Sequence, residues 1–435
     1  MLSRAHEVRS GAGARRHSPE DRLAEAVGLA EAIGLEVVDQ RLVPIPAPRP
    51  GTLLGSGKVA EIKARAEALG AGLVVIDHAV SAIQQRNLEK EWGVKVLDRT
   101  ALILEIFGAR ARTREGRLQV ELAHLEYQRG RLVRTWTHLE RQRGGYGFLG
   151  GPGEAQIELD RRMISERIEQ IRKELAKVVR TRELHRAGRR RVPYPVVAIV
   201  GYTNAGKSTL FNRLTGAAVL ARDQVFATLD PTMREVRLAS GRRIILSDTV
   251  GFISDLPTML VAAFRATLEE VIAADLILHV RDIAHPETDA QAEDVESVLA
   301  DLGIDLAPAE SHLLEVWNKI DLLGAIPREE AAAAARFREG APVLISATTG
   351  EGLDDLLQAI DERLGTGDAV LALVVPAAAG RLVNWLHEST HVMARETAAD
   401  GTLHMTVRVT ADKKGQLLAQ LGAAGGSLSP AAPGG

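Results

Sequence analysis

The chain has 435 residues, of which 46% are hydrophobic and 26% charged, with a formal net charge of −3 and no cysteine. This composition is typical of a globular protein of about three domains. It excludes disulfides, thiolate metal sites, iron–sulfur clusters and a cysteine nucleophile. No run of 18 apolar residues occurs, so we expect no membrane-spanning helix. Residues 1–19 are rich in Arg and Ser and lack the apolar region of a secretory signal, so we expect a disordered tail.

Positive charge is concentrated in the middle of the chain. Counting Lys and Arg against Asp and Glu gives residues 110–191 a net charge of +10 and leaves −13 for the rest. A basic block of this size is typical of a surface that binds a phosphate-rich polymer such as RNA. A solvated helical surface would show the same pattern, and the sequence alone leaves both interpretations open.

Residues 20–110 alternate helices with short apolar strands, which predicts a small parallel α/β domain. The predicted helices are 20–33, 58–69, 83–90 and 100–107, and the predicted strands are 35–43, 73–77 and 94–97. Within this part, Gly55-Ser56-Gly57-Lys58 resembles a phosphate-binding loop but lacks its first glycine and its final Ser or Thr. We interpret it as a helix-capping turn, with a second nucleotide site as the alternative.

Residues 111–191 are predicted to form an antiparallel helical hairpin. Two segments carry seam positions that step by four and three, which is the spacing of helices packed side by side. The seam residues are Leu118, Leu122, Leu125, Arg129, Leu132, Trp136 and Leu139 in the first helix, and Ile164, Ile168, Ile171, Leu175 and Val178 in the second. The glycine-rich segment Gly144–Gly153 lies between them and is the predicted tip.

A predicted strand over residues 196–200 leads directly into a phosphate-binding loop of the form G-x-x-x-x-G-K-[ST]. The residues of this loop are Gly201, Tyr202, Thr203, Asn204, Ala205, Gly206, Lys207, Ser208 and Thr209. Backbone N–H groups and the following helix N-terminus favour phosphate, Lys207 supplies charge to the β- and γ-phosphates, and Ser208 offers a ligand to Mg²⁺. We therefore predict a P-loop nucleotide-binding domain over residues 192–365.

A second motif predicts the base. The apolar strand 313–317 ends in the sequence N-K-x-D, formed by Asn318, Lys319, Ile320 and Asp321. A carboxylate at Asp321 can accept both N–H groups on one edge of guanine, a pair that adenine does not offer. Another strand runs into Ser346, Ala347 and Thr348, which fit the loop that backs guanine with a main-chain N–H. These two segments predict GTP rather than ATP as the substrate.

The segments between these motifs are predicted to hold Mg²⁺ and sense the γ-phosphate. A strand ends in the D-x-x-G sequence, in which we expect Asp248 near the metal and the N–H of Gly251 at the γ-phosphate. Its residues are Asp248, Thr249, Val250 and Gly251, and the switch I interval upstream contains Phe226, Ala227, Thr228, Leu229 and Asp230. The predicted metal ligands are Ser208, Thr228 and Asp248, with Thr232 as the alternative to Thr228. The predicted catalytic residues are Lys207, Thr228 and Gly251.

Phe252 follows the D-x-x-G sequence at a position where many GTPases carry a water-orienting Gln. Phenylalanine cannot form a hydrogen bond to water, so we expect slow hydrolysis by the protein alone and activation by a partner.

Beyond this domain, residues 366–422 are predicted as strand, helix, strand, turn, strand and helix, with Asp400-Gly401 as the turn. Residues 423–435 are rich in Gly, Ala, Ser and Pro and are predicted to be disordered.

The sequence resembles the HflX family of translational GTPases over about residues 55–365. The resemblance is carried by GYTNAGKSTLFNRLTG, FATLDPT, LSDTVGFISDLP and NKID, and more specifically by DRTALILEIFGARARTREGRLQVELAHLEY and GGPGEAQIELDRRMISERI. It implies a cytoplasmic, Mg²⁺-dependent GTPase that binds the large ribosomal subunit, with the tip Gly144–Gly153 reaching ribosomal RNA. Some family members split stalled or hibernating ribosomes. The chain carries three residues, Phe148-Leu149-Gly150, where the family pattern has two.

Three functions remain to be distinguished. The first is a monomeric, ribosome-binding GTPase that serves ribosome rescue or biogenesis. The second is a GTPase switch that acts on a protein partner and uses the hairpin as a structural coiled coil. The third is a metabolic P-loop kinase, and the NKID sequence argues against it.

Overall fold

The computed structural model describes residues 17–111, 113–142, 152–189, 194–216, 232–255, 268, 270–304, 312–338, 340–365, 369–409 and 411–429. Most of the predicted hairpin tip and the whole switch I interval, with Phe226 to Asp230, lie outside these residues. None of the helices in the described part of the chain combines the length and the apolar composition of a membrane span.

The N-terminal part is a small α/β layer, as the alternating pattern predicted. Its elements are α1 (Pro19–Glu31), α2 (Ser56–Leu69), β1 (Leu73–Ile76), α3 (Ala82–Trp92), β2 (Lys95–Asp98) and α4 (Arg99–Arg110). Strands β1 and β2 pair in parallel. Local capping sets the helix starts: the Ser81 side chain accepts from the N–H of Gln84, and the Asp98 side chain accepts from the N–H of Ala101.

The strand predicted over residues 35–43 is wrong. The burial pattern does alternate there, with Val43 buried and Val38 and Leu42 exposed, but no backbone ladder forms. A cavity of about 420 Å³ separates residues 35–41 from β1, the strand that could have paired with them. Alternation therefore marks an extended segment packed on one side, whereas a strand also needs a partner edge within hydrogen-bonding distance.

Residues 17–19, predicted as the end of a disordered tail, are ordered, and residues 1–16 of that prediction lie outside the described residues. The Ser18 side chain caps α1, which starts at Pro19. The His17 ring lies 2.5 Å from Oε2 of Glu287 and 2.8 Å from Oδ2 of Asp294, far along the chain. Burial alone would lower the pKa of His17, but the hydrogen bonds and charges of Asp294 and Glu287 raise it to about 9.

Two long helices, α5 (Arg114–Gln142) and α6 (Pro152–Arg189), form the predicted hairpin. They run in opposite directions, since Leu132 late in α5 and Ile164 early in α6 line the same hollow. Ile168 and Ile171 of the predicted seam are fully buried, and Leu118 is nearly so. The side chains of Trp136 and Leu139 lie outside the described residues.

Six strands form the sheet of the nucleotide-binding domain in the order β4-β5-β3-β6-β7-β8. All neighbours are parallel except β4 and β5. The elements of this domain are β3 (Val196–Gly201), α7 (Lys207–Thr215), β4 (Thr232–Arg237), β5 (Arg243–Asp248), β6 (Leu276–Asp282), α8 (Thr288–Asp301), β7 (Leu313–Asn318), a 3-10 turn (Ile320–Leu322), α9 (Ala325–Phe337), β8 (Val343–Leu344) and α10 (Leu353–Gly365). This is the P-loop GTPase fold that the motif order predicted.

One hydrophobic core joins the N-terminal part, the hairpin and this domain. Helix α1 contributes Leu29, α4 contributes Phe107 and α5 contributes Ala123, and they pack with Val200 of β3 and with Phe252. All five side chains are at most 2% exposed. Their contact face is therefore as dry as the interior of a domain.

The C-terminal part is a four-stranded antiparallel sheet with two helices, built from β9 (Ala369–Val375), α11 (Gly380–Ser389), β10 (His391–Thr397), β11 (Leu403–Val409), α12 (Ala411–Ala423) and β12 (Ser427–Leu428). The strand order β10-β11-β9-β12 is that of a ferredoxin-like βαββαβ unit. The predicted turn at Asp400-Gly401 is confirmed, and Gly401 takes a φ of +83°. The disorder predicted for residues 423–435 is wrong for the described residues 423–429, because β12 pairs with β9 at Val374 and Leu373.

Candidate functional site

The phosphate-binding loop connects β3 at the centre of the sheet to the first turn of α7, and its glycines are required by close contacts. At Gly201, φ is +150° and a Cβ would lie 2.1 Å from the carbonyl oxygen of Val280. At Gly206, φ is +94° and a Cβ would lie 2.2 Å from Nδ2 of Asn318. A side chain at either position would collide with a neighbouring strand or loop. The loop is thus pressed against β6 and the N-K-x-D segment.

Lys207 is buried at the start of α7, and its ammonium is enclosed by backbone. Nζ donates a hydrogen bond to the carbonyl oxygen of Tyr202 at 2.6 Å. Burial lowers the pKa of Lys207 to about 8, although the carboxylate of Asp248 opposes the shift. A Cβ on Gly251 would lie 2.9 Å from Nζ, so the D-x-x-G loop lies against the ammonium.

Ser208 and Asp248 bring two oxygen-bearing side chains together. Oγ of Ser208 donates to Oδ2 of Asp248 at 2.8 Å, and Asp248 is fully buried at the end of β5. Hydroxyl and carboxylate oxygens are the ligands that Mg²⁺ prefers, so this pair fits one edge of a magnesium site. Thr232 starts β4 and is the strand partner of Asp248. The competing ligand Thr228 lies outside the described residues, so the choice between the two stays open.

The segment after Asp248 is held by hydrogen bonds to β3 and to the phosphate-binding loop. Oγ1 of Thr249 donates to the carbonyl of Ile199 in β3 at 2.6 Å, and Val250 is buried. The N–H of Thr203 then donates to the carbonyl of Phe252 at 2.7 Å, and the N–H of Phe252 donates to the carbonyl of Gly201 at 3.1 Å. The phosphate-binding loop and the D-x-x-G loop therefore form one hydrogen-bonded unit.

Asn318 connects the predicted base site to the phosphate-binding loop. Its Nδ2 donates to the carbonyl of Ala205 at 2.8 Å, and its Oδ1 accepts from the N–H of Ala347 at 2.9 Å. Ile320 is buried beneath the loop, whereas the predicted base-reading residue Asp321 is exposed. Ser346 and Ala347 are buried, and Thr348 is exposed at the same edge of the sheet. The three motifs thus meet in one place.

Two residues outside the motifs support the base loops. Nζ of Lys319 lies 2.7 Å from Oδ2 of Asp282 at the end of β6. Nη2 of Arg213 in α7 donates to the carbonyl of Thr349 at 3.1 Å, beside Gly350. Sequence reasoning missed Asp282 and Arg213, because neither belongs to the G-x-x-x-x-G-K-[ST], D-x-x-G or N-K-x-D motif. The one available signal for Asp282 was a polar residue at the carboxyl end of a buried apolar strand.

The side chain of Tyr202 points away from the phosphate-binding loop that contains it. Its hydroxyl donates to Oε1 of Glu25 in α1 and accepts from the N–H of Ser254 at 2.7 Å. Burial raises the pKa of Tyr202 far above its ordinary value, and the charge of Glu25 adds to this effect. Only the backbone of Tyr202 therefore faces the nucleotide site. The sequence predicted Tyr202 as a nucleotide-binding residue but assigned no role to its side chain.

Arg99 completes a buried polar network between α1, the N-terminal layer and the D-x-x-G loop. Its guanidinium donates to Glu25 at 2.6 Å, to Asp77 at 2.5 Å and to the carbonyl of Ser254 at 2.8 Å. Burial alone would raise the pKa of Glu25, but the Arg99 charge and hydrogen bonds from Ser254 and Tyr202 lower it below its ordinary value. The network ties the N-terminal part to the nucleotide site.

Phe252 is 2% exposed and packs in the shared core. The position that carries a water-orienting Gln in many GTPases therefore contributes a core side chain in this protein. The sequence predicted that Phe252 does not orient water, but it gave no sign that the side chain joins α1 and α4.

Charge on the hairpin is partly neutralised within it. Arg167 pairs with Glu121 at 2.7 Å, and Arg172 pairs with Glu126 at 2.9 Å. Arg162 likewise pairs with Glu166, and Arg114 pairs with Glu174. By contrast, three exposed basic residues of α6 have no ion pair within the described part of the chain: Arg161, Lys173 and Arg180.

The Gly55–Lys58 turn starts α2 and shows no sign of a phosphate site. Gly55 is the N-cap residue with ordinary extended backbone, and no φ in this turn is positive. The exposed Lys58 pairs with Glu61 at 2.6 Å, one turn along the same helix. These contacts favour the helix-capping interpretation.

No group of three or more metal-binding His, Asp or Glu side chains occurs among the residues that the structure describes.

Four family models match the chain and together cover most of it. They are described as GTP-binding GTPase N-terminal (residues 20–108), GTP-binding GTPase Middle Region (110–189), 50S ribosome-binding GTPase (196–319) and HflX C-terminal domain (332–428). The last model begins inside α9, so it includes α10 of the nucleotide-binding domain as well as the C-terminal sheet.

Among similar proteins, GTPase HflX of Magnetococcus marinus is 51% identical over 383 residues, which cover 87% of this chain and 86% of that protein. GTPase HflX of Escherichia coli K12 is 45% identical over 390 residues, covering 89% of each chain. A solved GTP-binding protein from Sulfolobus solfataricus in complex with GDP is 25% identical, with a TM-score of 0.43, covering 80% of this chain and 96% of that one.

Proposed function

The chain belongs to the HflX family of GTPases, and from this premise we propose that it hydrolyses GTP in a magnesium-dependent reaction stimulated by the large ribosomal subunit. The nucleotide would bind where the phosphate-binding loop, the D-x-x-G loop and the N-K-x-D loop meet. The observation that carries this proposal is Asn318, whose amide joins the predicted base site to the phosphate-binding loop. We also propose that the protein acts as a cytoplasmic monomer.

Each predicted site residue has a role that its surroundings support. Lys207 would exchange its backbone partner, the carbonyl of Tyr202, for phosphate oxygens, because an ammonium binds an anion more strongly than a neutral carbonyl. Ser208 and Asp248, with Thr228 or Thr232, would hold Mg²⁺, which neutralises charge on the phosphates when bound. The N–H of Gly251, beside Lys207, would sense the γ-phosphate. Asp321, exposed at the rim, would accept the two guanine donors.

Slow hydrolysis by the protein alone follows from Phe252. Its side chain is in the core, so the D-x-x-G loop offers no amide there to orient the attacking water. A partner would supply this orientation or stabilise the developing charge. We therefore propose that ribosomal subunits raise the hydrolysis rate.

The hairpin would provide the ribosome contact. Three exposed cations of α6 without an ion pair in the described part of the chain, Arg161, Lys173 and Arg180, are suited to phosphate oxygens of RNA. Two long helices can carry a glycine-rich tip far from the nucleotide-binding domain. The protein would then serve the rescue or splitting of stalled or hibernating ribosomes, or ribosome biogenesis. The internal ion pairs of the hairpin are the observation that favours the competing proposal, a GTPase switch for a protein partner.

Base selectivity tests the GTP assignment. We predict that the wild-type protein binds GDP far more tightly than ADP, and that Asp321→Asn shifts the preference toward xanthosine diphosphate. The amide of asparagine can donate to the xanthine oxygen where the carboxylate accepted from guanine. Competition binding with a fluorescent GDP analogue measures all three affinities. Equal wild-type affinity for ADP and GDP would refute the base-site assignment.

A further inference from the structure

The N-K-x-D loop is fixed by an ion pair to a residue that no nucleotide motif contains. Nζ of Lys319 lies 2.7 Å from Oδ2 of Asp282, and the two side chains are only 26% and 14% exposed. An ion pair enclosed to this extent is screened less by solvent and salt than a pair on an open surface. The contact therefore restrains the Lys319 side chain next to the predicted base site.

Asp282 is itself held in register with the motif. Asp282 and Asn318 are strand partners at the ends of β6 and β7. The N–H of the next residue, Ile283, donates to the carbonyl of Asn318 at 3.1 Å, and Oδ1 of Asp282 accepts from the N–H of Ala284 at 3.1 Å. One carboxylate oxygen thus fixes the local turn while the other holds Lys319.

The backbone at Lys319 makes this restraint useful. Lys319 takes a left-handed φ of +67°, so the chain turns sharply between Asn318 and Asp321. A lysine side chain loses much rotamer freedom when a ligand fixes it. Fixing it before the ligand arrives removes that loss from the binding step, which is the general basis of preorganised sites.

We propose that Asp282 is a positioning residue for guanine nucleotides and acts through Lys319. This inference rests on the proposed GTP site, and it adds a residue that determines how tightly that site holds the base.

A second role for Asp282 predicts the opposite result. The charge of Lys319 reaches the phosphate site, where it helps to lower the pKa of Lys207. If Asp282 served only to neutralise Lys319, then removing its carboxylate would add positive charge near the phosphates and tighten nucleotide binding. Positioning predicts weaker binding, so the direction of the change distinguishes the two roles.

The test is a double-mutant cycle on GDP binding, with dissociation of a fluorescent GDP analogue followed by stopped flow. We expect Asp282→Asn to raise both Kd and the dissociation rate about two- to fivefold. In a Lys319→Ala background the same substitution should change neither, because its partner is already absent. Asp301→Asn, the same change at the exposed end of α8, is the matched control and should resemble the wild type.

Asp282→Ser provides a second variant that can keep the local turn, since a serine hydroxyl can also accept from the N–H of Ala284. It should show the same loss as Asp282→Asn. An unchanged or tighter affinity in both variants, or an equal loss in the Lys319→Ala background, would overturn the inference. Failure of the wild-type protein to prefer GDP over ADP would instead refute the proposed function, so the two failures are distinguishable.

Discussion

The ammonium of Lys207 is enclosed by backbone, and this environment makes nucleotide binding pH-dependent. Burial lowers the pKa of Lys207 to about 8, so above pH 8 the Lys207 side chain is neutral in most nucleotide-free molecules. Phosphate oxygens favour the charged form, and binding should raise this pKa. The contribution of the charge is then fully present below pH 8 and is lost as the pH rises above it.

We therefore predict that GDP binding takes up a proton at pH 8.5, about 0.8 per molecule if the bound lysine is fully charged. Calorimetry in buffers of different ionisation enthalpy measures this uptake. At pH 7 the uptake should be close to zero, which serves as the internal control. Binding without proton uptake at both pH values would show that Lys207 is already charged in the empty site.

Because of His279, we also predict that the free energy of unfolding depends on pH. It is 1% exposed in the middle of β6, and burial lowers its pKa to about 4 from an ordinary value of 6.5. Between these two values the unfolded chain binds the proton and the folded chain does not. The free energy of unfolding should therefore fall as the pH decreases from about 6.5 to 4, by up to about 3 kcal/mol.

Urea unfolding of the wild type and of His279→Leu at pH 7, 6 and 5 measures this effect. The leucine variant lacks the titrating group, so its stability should fall less over the same interval. Parallel pH profiles for the two proteins would assign the loss to other groups, such as carboxylates in the ion-pair networks.

At the scale of elements, α1 is the part that joins the N-terminal layer to the nucleotide site. A single residue of this helix, Glu25, contacts Tyr202, Ser254 and Arg99. Removing its carboxylate leaves the Arg99 guanidinium buried with one fewer counter-charge, which destabilises a protein by about 3–5 kcal/mol. We predict this loss for Glu25→Ala and a smaller one for Glu25→Gln, which keeps some of the hydrogen bonds.

Thermal and denaturant unfolding measure the change, and Glu31→Ala at the exposed end of the same helix is the control. Glu25→Ala with wild-type stability would mean that water replaces the carboxylate, and that α1 does not hold the two parts together.

Elements were predictable from sequence where the signal is local. Residues 196–200 form an uninterrupted apolar run next to glycines, and they became the central strand β3. Residues 35–43 carry a local alternation without a partner, and Ser427–Leu428 carry no local signal but gain a partner in β9. Pairing of strands far apart in the chain is decided by the whole fold, so it was the part that could not be predicted.

The candidate site shows the same division. Backbone loops with motif spacing, such as Gly201 to Ser208, were predictable because the chemistry is contained in consecutive residues. The contacts of Tyr202 with Glu25 and of Lys319 with Asp282 join segments that only the sheet and the shared core bring together. Net charge was misleading in one respect, since the sequence could not show that Arg167 and Arg172 are neutralised by α5.

At the scale of the whole molecule, one core connects the hairpin to the D-x-x-G loop, since α5 packs against α4 and α4 packs near Phe252. An RNA contact on the hairpin would therefore act on a nucleotide site to which a continuous hydrophobic core connects it. On α6, the exposed cations available for that contact are those without an ion pair in the described part of the chain: Arg161, Lys173 and Arg180. Charge reversal at these three residues leaves the hairpin's own ion pairs intact.

The most direct measurement is the GTP hydrolysis rate with and without large ribosomal subunits, for the wild type and two charge-reversal variants. The test variant is Arg161→Glu/Lys173→Glu/Arg180→Glu on the hairpin, and the control is Lys63→Glu/Lys90→Glu/Lys95→Glu on the exposed surface of the N-terminal layer. We predict that subunits stimulate the wild type and the control, and that the hairpin variant keeps its basal rate but loses the stimulation. A wild-type rate unchanged by subunits, or a hairpin variant stimulated as strongly as the wild type with the same salt dependence, would contradict this account.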